Sequence, residues 1–258
     1  MSQLHQSAVL LPKARDVARW AGPALLGATI LLLSSGARAD EKRPLPNRLE
    51  AIGFTRAPRI DGDLGDWPEG RDSQVAVLDR AEQVLPAMRD RWRGPDDLRG
   101  RVRIGVDTEA LYVAVQVGDD TAYHPGQPWW HGDAVELFLD LDPPGPEGRP
   151  DRYTPGCWQI FLMPRNPEVA WGVMFHGARR PADDGGLRGV ELGHRERAGQ
   201  GYDVEVRIPW SALGLEGAPG YPIGFAVALD DADGPPDPSS PRTYMSWNGR
   251  FDLYRIPA

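Results

Sequence analysis

Cysteine is almost missing from this sequence. Cys157 stands alone, which excludes an intrachain disulfide and any zinc site built on cysteines. A single thiol in a β-rich chain is usually a small buried hydrophobe, and its inert burial is the expectation here. Lysine is nearly absent as well, with only Lys13 and Lys42; the remaining positive charge is arginine. Histidine is scarce: His124, His131, His176 and His194 follow the N-terminal segment. His124 and His131 share one loop, but no third ligand stands at a zinc-site spacing. Short motifs of catalysis are missing too. There is no Gly-x-Ser-x-Gly elbow, no glycine-rich phosphate loop and no His-Glu-x-x-His, so the common hydrolase, nucleotide and metalloprotease signatures are not present.

Long apolar runs are confined to one place. Ala21–Leu33 follows a segment with Lys13, Arg15 and Arg19, and Ala37-Arg38-Ala39 follows it. A basic stretch, a short apolar core and a small-x-small site predict a signal peptide over residues 1–39, cleaved after Ala39, and hence a periplasmic or secreted protein. The run is short for a bilayer span of about 20 residues, although an uncleaved anchor is the alternative. No cysteine follows it, so it carries no lipoprotein attachment site. Removing residues 1–39 takes away Lys13, Arg15, Arg19 and Arg38 against Asp16, and the formal net charge moves from −8 to −11. An acidic chain without clustered basic residues is a poor partner for nucleic acid. It suits neutral ligands and divalent cations, and no membrane partner is expected after cleavage.

Residues 40–49, with Pro44 and Pro46, read as a polar tether, and residues 50–258 as one domain. Within it, period-two alternation dominates. The predicted strands are Gln74–Leu78, Arg101–Val106, Leu111–Val117, Ala134–Leu141, Cys157–Met163, Ala170–Phe175, Leu187–Glu196, Tyr202–Ile208, Ile223–Leu229, Thr243–Trp247 and Leu253–Ile256. Two short helical pieces are predicted around Ala81–Arg91 and Trp210–Leu213. Pro/Gly/Asp clusters separate the strands, so the fold class is all-β: a jelly-roll-like antiparallel β-sandwich with one or two short helices.

Two features carry chemistry. Glu136 interrupts an apolar strand; it faces either solvent or a ligand on a concave sheet face. Trp129 and Trp130, among nine tryptophans, lie in the polar loop Pro125–Asp133 just before that strand. Sugars offer C–H faces to aromatic rings and hydroxyls to carboxylates and amides. Trp67, Trp158, Trp171 and Trp210 lie in or beside apolar alternation and are expected in the core. Paired aspartates (Asp119 and Asp120, Asp183 and Asp184, Asp230 and Asp231) sit at strand ends, where turn chemistry favours them. Asp119, Asp120, Asp231 and Asp233 are the candidates for an oxygen-only calcium site. A glycosidase pair is not singled out by the pattern. Haem ligation by a histidine or by Met163, Met174 or Met245 stays open.

Five blocks in order resemble the family 9 carbohydrate-binding modules: Ile60–Trp67 (Ile-Asp-Gly-Asp-Leu-Gly-Asp-Trp), Val102–Asp119, Trp130–Asp140, Gly201–Trp210 and Ile223–Asp231. The resemblance implies a sandwich with bound calcium and a sugar site on one face. It implies that Trp130 stacks on sugar, that Glu136 and Gln159 bond its hydroxyls, and that Asp119 and Asp231 lie near cation-binding loops. Two departures stand out. Phe161 replaces an arginine that sugar-binding members carry, and a second stacking tryptophan in a C-terminal loop is missing. Trp129, Trp247 and Arg250 are the residues left to complete the clamp. The function expected is noncatalytic carbohydrate binding. The alternatives are a haem-binding periplasmic sandwich of the dehydrogenase-subunit kind and an interaction module that has lost its sugar.

Overall fold

The computed structural model describes residues 8–10, 45, 47–126, 128, 131–143, 145–146, 152–166, 169–177, 187–235 and 242–251. The described strands are β1 (Ala8–Leu10), β2 (Arg48–Glu50), β3 (Ile52–Gly53), β4 (Val75–Leu78), β5 (Leu98–Val106), β6 (Ala110–Asp119) and β7 (Ala134–Asp140). They continue as β8 (Cys157–Leu162), β9 (Trp171–His176), β10 (Glu191–Arg197), β11 (Gly201–Pro209), β12 (Ile223–Ala232) and β13 (Arg242–Ser246). Among the described residues they form two sheets. The first runs β2-β1-β12-β7-β8-β9, with β13 also on β12; the second runs β10-β11-β6-β5-β3, with β4 also on β5. The central pairings are antiparallel.

Alternation builds the core. On β5, β6 and β11 the residues Val102, Ile104, Val113, Val115, Val204 and Val206 point inward. They meet Val135, Leu137, Ile160, Phe225, Val227 and Leu229 from β7, β8 and β12 in one buried cluster. Successive strand residues face opposite ways, so this stripe leaves the intervening residues for the outer faces. Trp158 and Trp210 belong to the core and Trp171 packs against it.

Each outer face is also partly covered. On the second sheet, the chain from Ile52 to Trp67 lies over Ala110, Tyr112 and Ala114. Phe54 sits edge-on to Trp67 and to Tyr112, at 5.1 and 5.5 Å between ring centres. Gly105 makes room for it, since a Cβ there would lie 2.0 Å from the Phe54 ring. Buried Glu205 clasps this segment. Its carboxylate accepts from Trp67 Nε1 at 2.6 Å and from the Gly62 and Asp61 amides at 2.7 and 3.3 Å. Gly62 has φ of 81°, a left-handed conformation that favours glycine. The Asp-Gly-Asp-Leu-Gly-Asp-Trp block is therefore a clasp on the second sheet.

Several expectations need adjusting. Strand β2 begins at the end of the expected tether, where Leu49 is buried in the core. The helical pieces are smaller than predicted. Ala81–Gln83 and Pro86–Met88 are single 3-10 turns, joined by two more at Leu64–Asp66 and Asp72–Gln74. Trp210–Leu213 makes only turns. The backbone of β1 lies within the expected leader, between β2 and β12. The predicted Leu253–Ile256 strand and the rest of residues 1–39 lie outside the described residues. Among the described residues, no helix is long and apolar enough to cross a membrane.

Candidate functional site

The outer face of the first sheet is where Glu136 points. On β7 every residue is buried, because the face turned away from the core is itself lined with rings. Small residues seat them. Ala226 and Ala228 on β12 lie under Phe138 and beside Tyr244. Ala134 lies among Phe161, Met163, Met174 and Phe175. The result is a basin of about 420 Å³ whose lining includes Phe138, Phe161, Phe175, Tyr244, Glu136 and Gln159. Asp230, Arg242, His131, Gly132 and Phe251 also line it.

Polar groups converge in the basin. The Gln159 amide Nε2 donates to Glu136 Oε2 at 2.8 Å, and the two residues are 4 % and 5 % exposed. Glu136 also hydrogen-bonds Asp230. Two carboxyl groups can share such a bond only through a proton. Burial raises the proton affinity of both, and Asp230, next to the Glu136 charge, is pushed further. The pair therefore holds a proton between its two carboxyl groups. Gln159 Oε1 and Asp230 Oδ2 are buried without a hydrogen-bond partner, and so is Arg242 Nε. Orphaned buried acceptors are costly, so a ligand with hydroxyl donors would relieve them.

Trp129 and Trp130 lie outside the described residues. The flanks of their loop are pinned at several points. Tyr123 N donates to Asp133 Oδ2 at 2.7 Å, Asn166 Nδ2 to the Gly126 carbonyl at 2.8 Å, and Arg242 Nη2 to the His131 carbonyl at 2.6 Å. Gly132 packs against the His124 ring so closely that a Cβ would lie 2.6 Å from it. Trp247 corrects an expectation. It is fully buried in the inter-sheet core, its ring 6.3 Å from Phe225, because its neighbour across the strand ladder is inward-facing. It does not line the basin. Phe161, noted only as a departure, forms part of the wall.

The four aspartates expected at a cation site separate into two groups. Asp119 ends β6 and Asp120 lies just past it, and the two side chains part company. Asp119 joins Asp231 and Asp133, all buried; Asp120 joins Asp233 and Asp97, which range from exposed to buried. Within each group the carboxylate oxygens lie within 4.8 Å of one another. Arg93 reaches the outer group, with contacts of 2.6, 2.8 and 3.4 Å to Asp97, Asp120 and Asp233. Arg165 reaches the inner one through Asp133 at 2.7 Å and Asp119. Burial and the neighbouring carboxylates push Asp133 up to about 7 and Asp231 up to about 9. Asp231 Oδ1 and the Tyr202 hydroxyl are buried without partners. Hard oxygen donors around unfilled bonding capacity fit a divalent cation such as calcium. Asp133, Arg165 and Asp97 escaped the sequence reading because their loops join the clusters only in space.

A second cavity, about 620 Å³, lies on the second sheet among Asp63, Glu69, Arg101, Arg103, Gln116 and Asp203. It offers no open ring; Arg103 covers Trp67, 5.7 Å from the ring centre. Among the described residues, carboxylates and open aromatic rings meet in the basin.

No curated relative matches the chain in sequence. Solved structures that share its fold include two from one organism. One is a family 9 carbohydrate-binding module from Caldicellulosiruptor kristjanssonii in complex with cellotriose, 19% identical, covering 80% of this chain and 88% of that one, with a TM-score of 0.55. The other is a family 9 module of that organism in complex with glucose, 18% identical, covering 80% and 90%, also at 0.55. The model of the family described as carbohydrate family 9 binding domain-like matches residues 79–251, which takes in every wall of the basin and both aspartate groups, and the chain belongs to that family.

Proposed function

We propose that this protein binds carbohydrate without transforming it, and that the ligand sits in the basin over Glu136 and Gln159. One observation carries the reading: aromatic walls enclose two buried acceptors, Gln159 Oε1 and Asp230 Oδ2, that have no partner. A sugar ring matches this with a C–H face for Phe138, Phe161 or Tyr244 and hydroxyl donors for the two oxygens. The fold neighbours in complex with cellotriose and glucose make gluco-configured mono- and oligosaccharides the first ligands to try. A noncatalytic role is supported by the carboxyl pair. Glu136 and Asp230 bond each other directly, whereas glycosidase carboxyls stand about 5 Å or more apart to flank the scissile bond. Membership of a carbohydrate-binding family weighs against the haem reading, and Met163 and Met245 are fully buried. Isothermal titration with glucose, cellotriose and a wider glycan panel tests the proposal. Heat of binding that Gln159→Ala weakens is expected; silence across the panel would defeat it.

Calcium is the cation we assign to the Asp119–Asp133–Asp231 centre, supported by the partnerless oxygens of Asp231 and Tyr202. Export is the third element. It rests on the basic, apolar and small-x-small order of residues 1–39, and N-terminal sequencing of the protein recovered from an expressing cell's periplasm and medium tests it. A mature chain beginning at Met1 would refute cleavage.

A further inference from the structure

Arg165 occupies an unusual position. It follows β8 in the corner Met163-Pro-Arg-Asn166, and its guanidinium is used on every side. Nε and Nη2 donate to Glu196 at 2.9 and 3.0 Å, on the solvent side. Nη1 points inward, to Asp133 at 2.7 Å and to Asp119. One face lies 4.5 Å from the centre of the Tyr202 ring. Its side chain is 10% exposed, while that of Glu196 is 48% exposed. A planar cation with a fixed fork suits this bridging role better than a flexible ammonium would.

The fit is incomplete in one respect. Three carboxylates converge, and Nη1 serves two. Asp231 Oδ1 and the Tyr202 hydroxyl remain buried and unpaired, on residues that are 6% and 1% exposed. A single positive charge at the edge of the centre leaves part of its bonding capacity unfilled. A divalent cation bound through oxygen at its middle would use all three aspartates. It would also stand next to Nη1, and two positive groups at that distance repel.

We propose that Arg165 is the resident counter-cation of this centre, and that it and calcium are alternative occupants. Calcium enters when Nη1 leaves Asp119 and Asp133, a departure that the Glu196 contacts at 2.9 and 3.0 Å oppose. In calcium-free buffer the guanidinium keeps Asp119 and Asp133 from standing uncompensated. The chain thus folds with or without the metal, and Arg165 sets how tightly the metal is held. This rests on the calcium reading of the centre given above.

The test compares four full-length proteins, each carrying Asp120→Asn so that the outer aspartate group is weakened: no further change, Arg165→Met, Glu196→Gln and Asp231→Asn. Thermal unfolding is followed in EDTA and in millimolar calcium, and terbium is titrated with luminescence excited through the protein's aromatic side chains. The protein with Arg165 should unfold at nearly the same temperature in both buffers. Arg165→Met should be destabilised in EDTA and recover with calcium, and should bind terbium about ten-fold more tightly, since a competing charge is gone. Glu196→Gln, which frees only the outer anchor, should bind terbium a few-fold more tightly, and Asp231→Asn should bind it more weakly. A calcium response in Arg165→Met no larger than in its parent overturns the proposal. Should Arg165→Met fail to fold in either buffer, Glu196→Gln decides, and unchanged or weaker terbium binding overturns it. If no protein responds to calcium or terbium, the calcium reading falls as well; if all respond equally, only the role of Arg165 falls.

Discussion

The amide of Gln159 donates to Glu136 at 2.8 Å and in doing so turns its own carbonyl oxygen into a buried, unpartnered acceptor. That arrangement orients the Glu136 carboxylate and presents a hydrogen-bond vacancy to whatever enters the basin. Gln159→Ala removes both the donor and the vacancy. It should weaken carbohydrate binding by about 1–3 kcal/mol, in line with the loss of a buried hydrogen-bonding group, and isothermal titration reads the change.

The rings of the basin depend on small residues beneath them. Ala228 lies on the same face as Glu136, opposite it across the β7–β12 ladder, and packs with Phe138. Ala228→Leu adds volume where there is none to spare. It should cost about 1–3 kcal/mol of stability and displace Phe138 and Tyr244. Ligand binding should fall although no polar group has been touched. Denaturant unfolding and titration of the folded protein separate the two effects.

Trp247 offers the opposite case. Because it plugs the inter-sheet core, Trp247→Ala should destabilise the fold by about 3–5 kcal/mol. Protein that remains folded should keep its affinity for sugar. A selective loss of binding at unchanged stability would place the indole at the ligand instead.

Glu205 links stability to pH. Burial raises its proton affinity, against the opposing pull of the Trp67, Gly62 and Asp61 donors. A carboxyl that binds its proton more tightly folded than unfolded makes the native state lose stability as pH rises from the ordinary carboxylate range to the raised value. Glu205→Gln removes that slope but also places an amide N–H where an acceptor is needed, costing about 1–3 kcal/mol. The stability gap between parent and variant should therefore be widest at acid pH and narrow as pH rises. Urea unfolding across that range checks the sign, and sugar affinity should not move, since the clasp lies on the other sheet.

Much of the architecture was legible in the residues. Alternation marked the central strands because each buries one face in a common core; Leu111–Val117 falls inside β6, and Ala134–Leu141 covers β7 and one residue beyond it. Strands β2 and β3 escaped detection, being two or three residues long and held by the sheet rather than by any local pattern. The basin had a faint signature. Ile223-Gly-Phe-Ala-Val-Ala-Leu alternates large and small residues, which means an inner face packed in the core and an outer face left low for neighbouring rings. Glu136 and Gln159 could be named from sequence, but their direct contact is a matter of strand register between β7 and β8.

By itself the sequence determined the class of fold, the acidic character and the absence of familiar catalytic motifs, since these follow from composition, period and spacing along the chain. Tertiary structure alone decided which aspartates meet, that Arg165 reaches two of them, that Asp230 bonds Glu136 and that Trp247 is sealed inside. Such pairings join residues many positions apart, and only the stacking of two sheets and the register of their strands bring them within bonding distance.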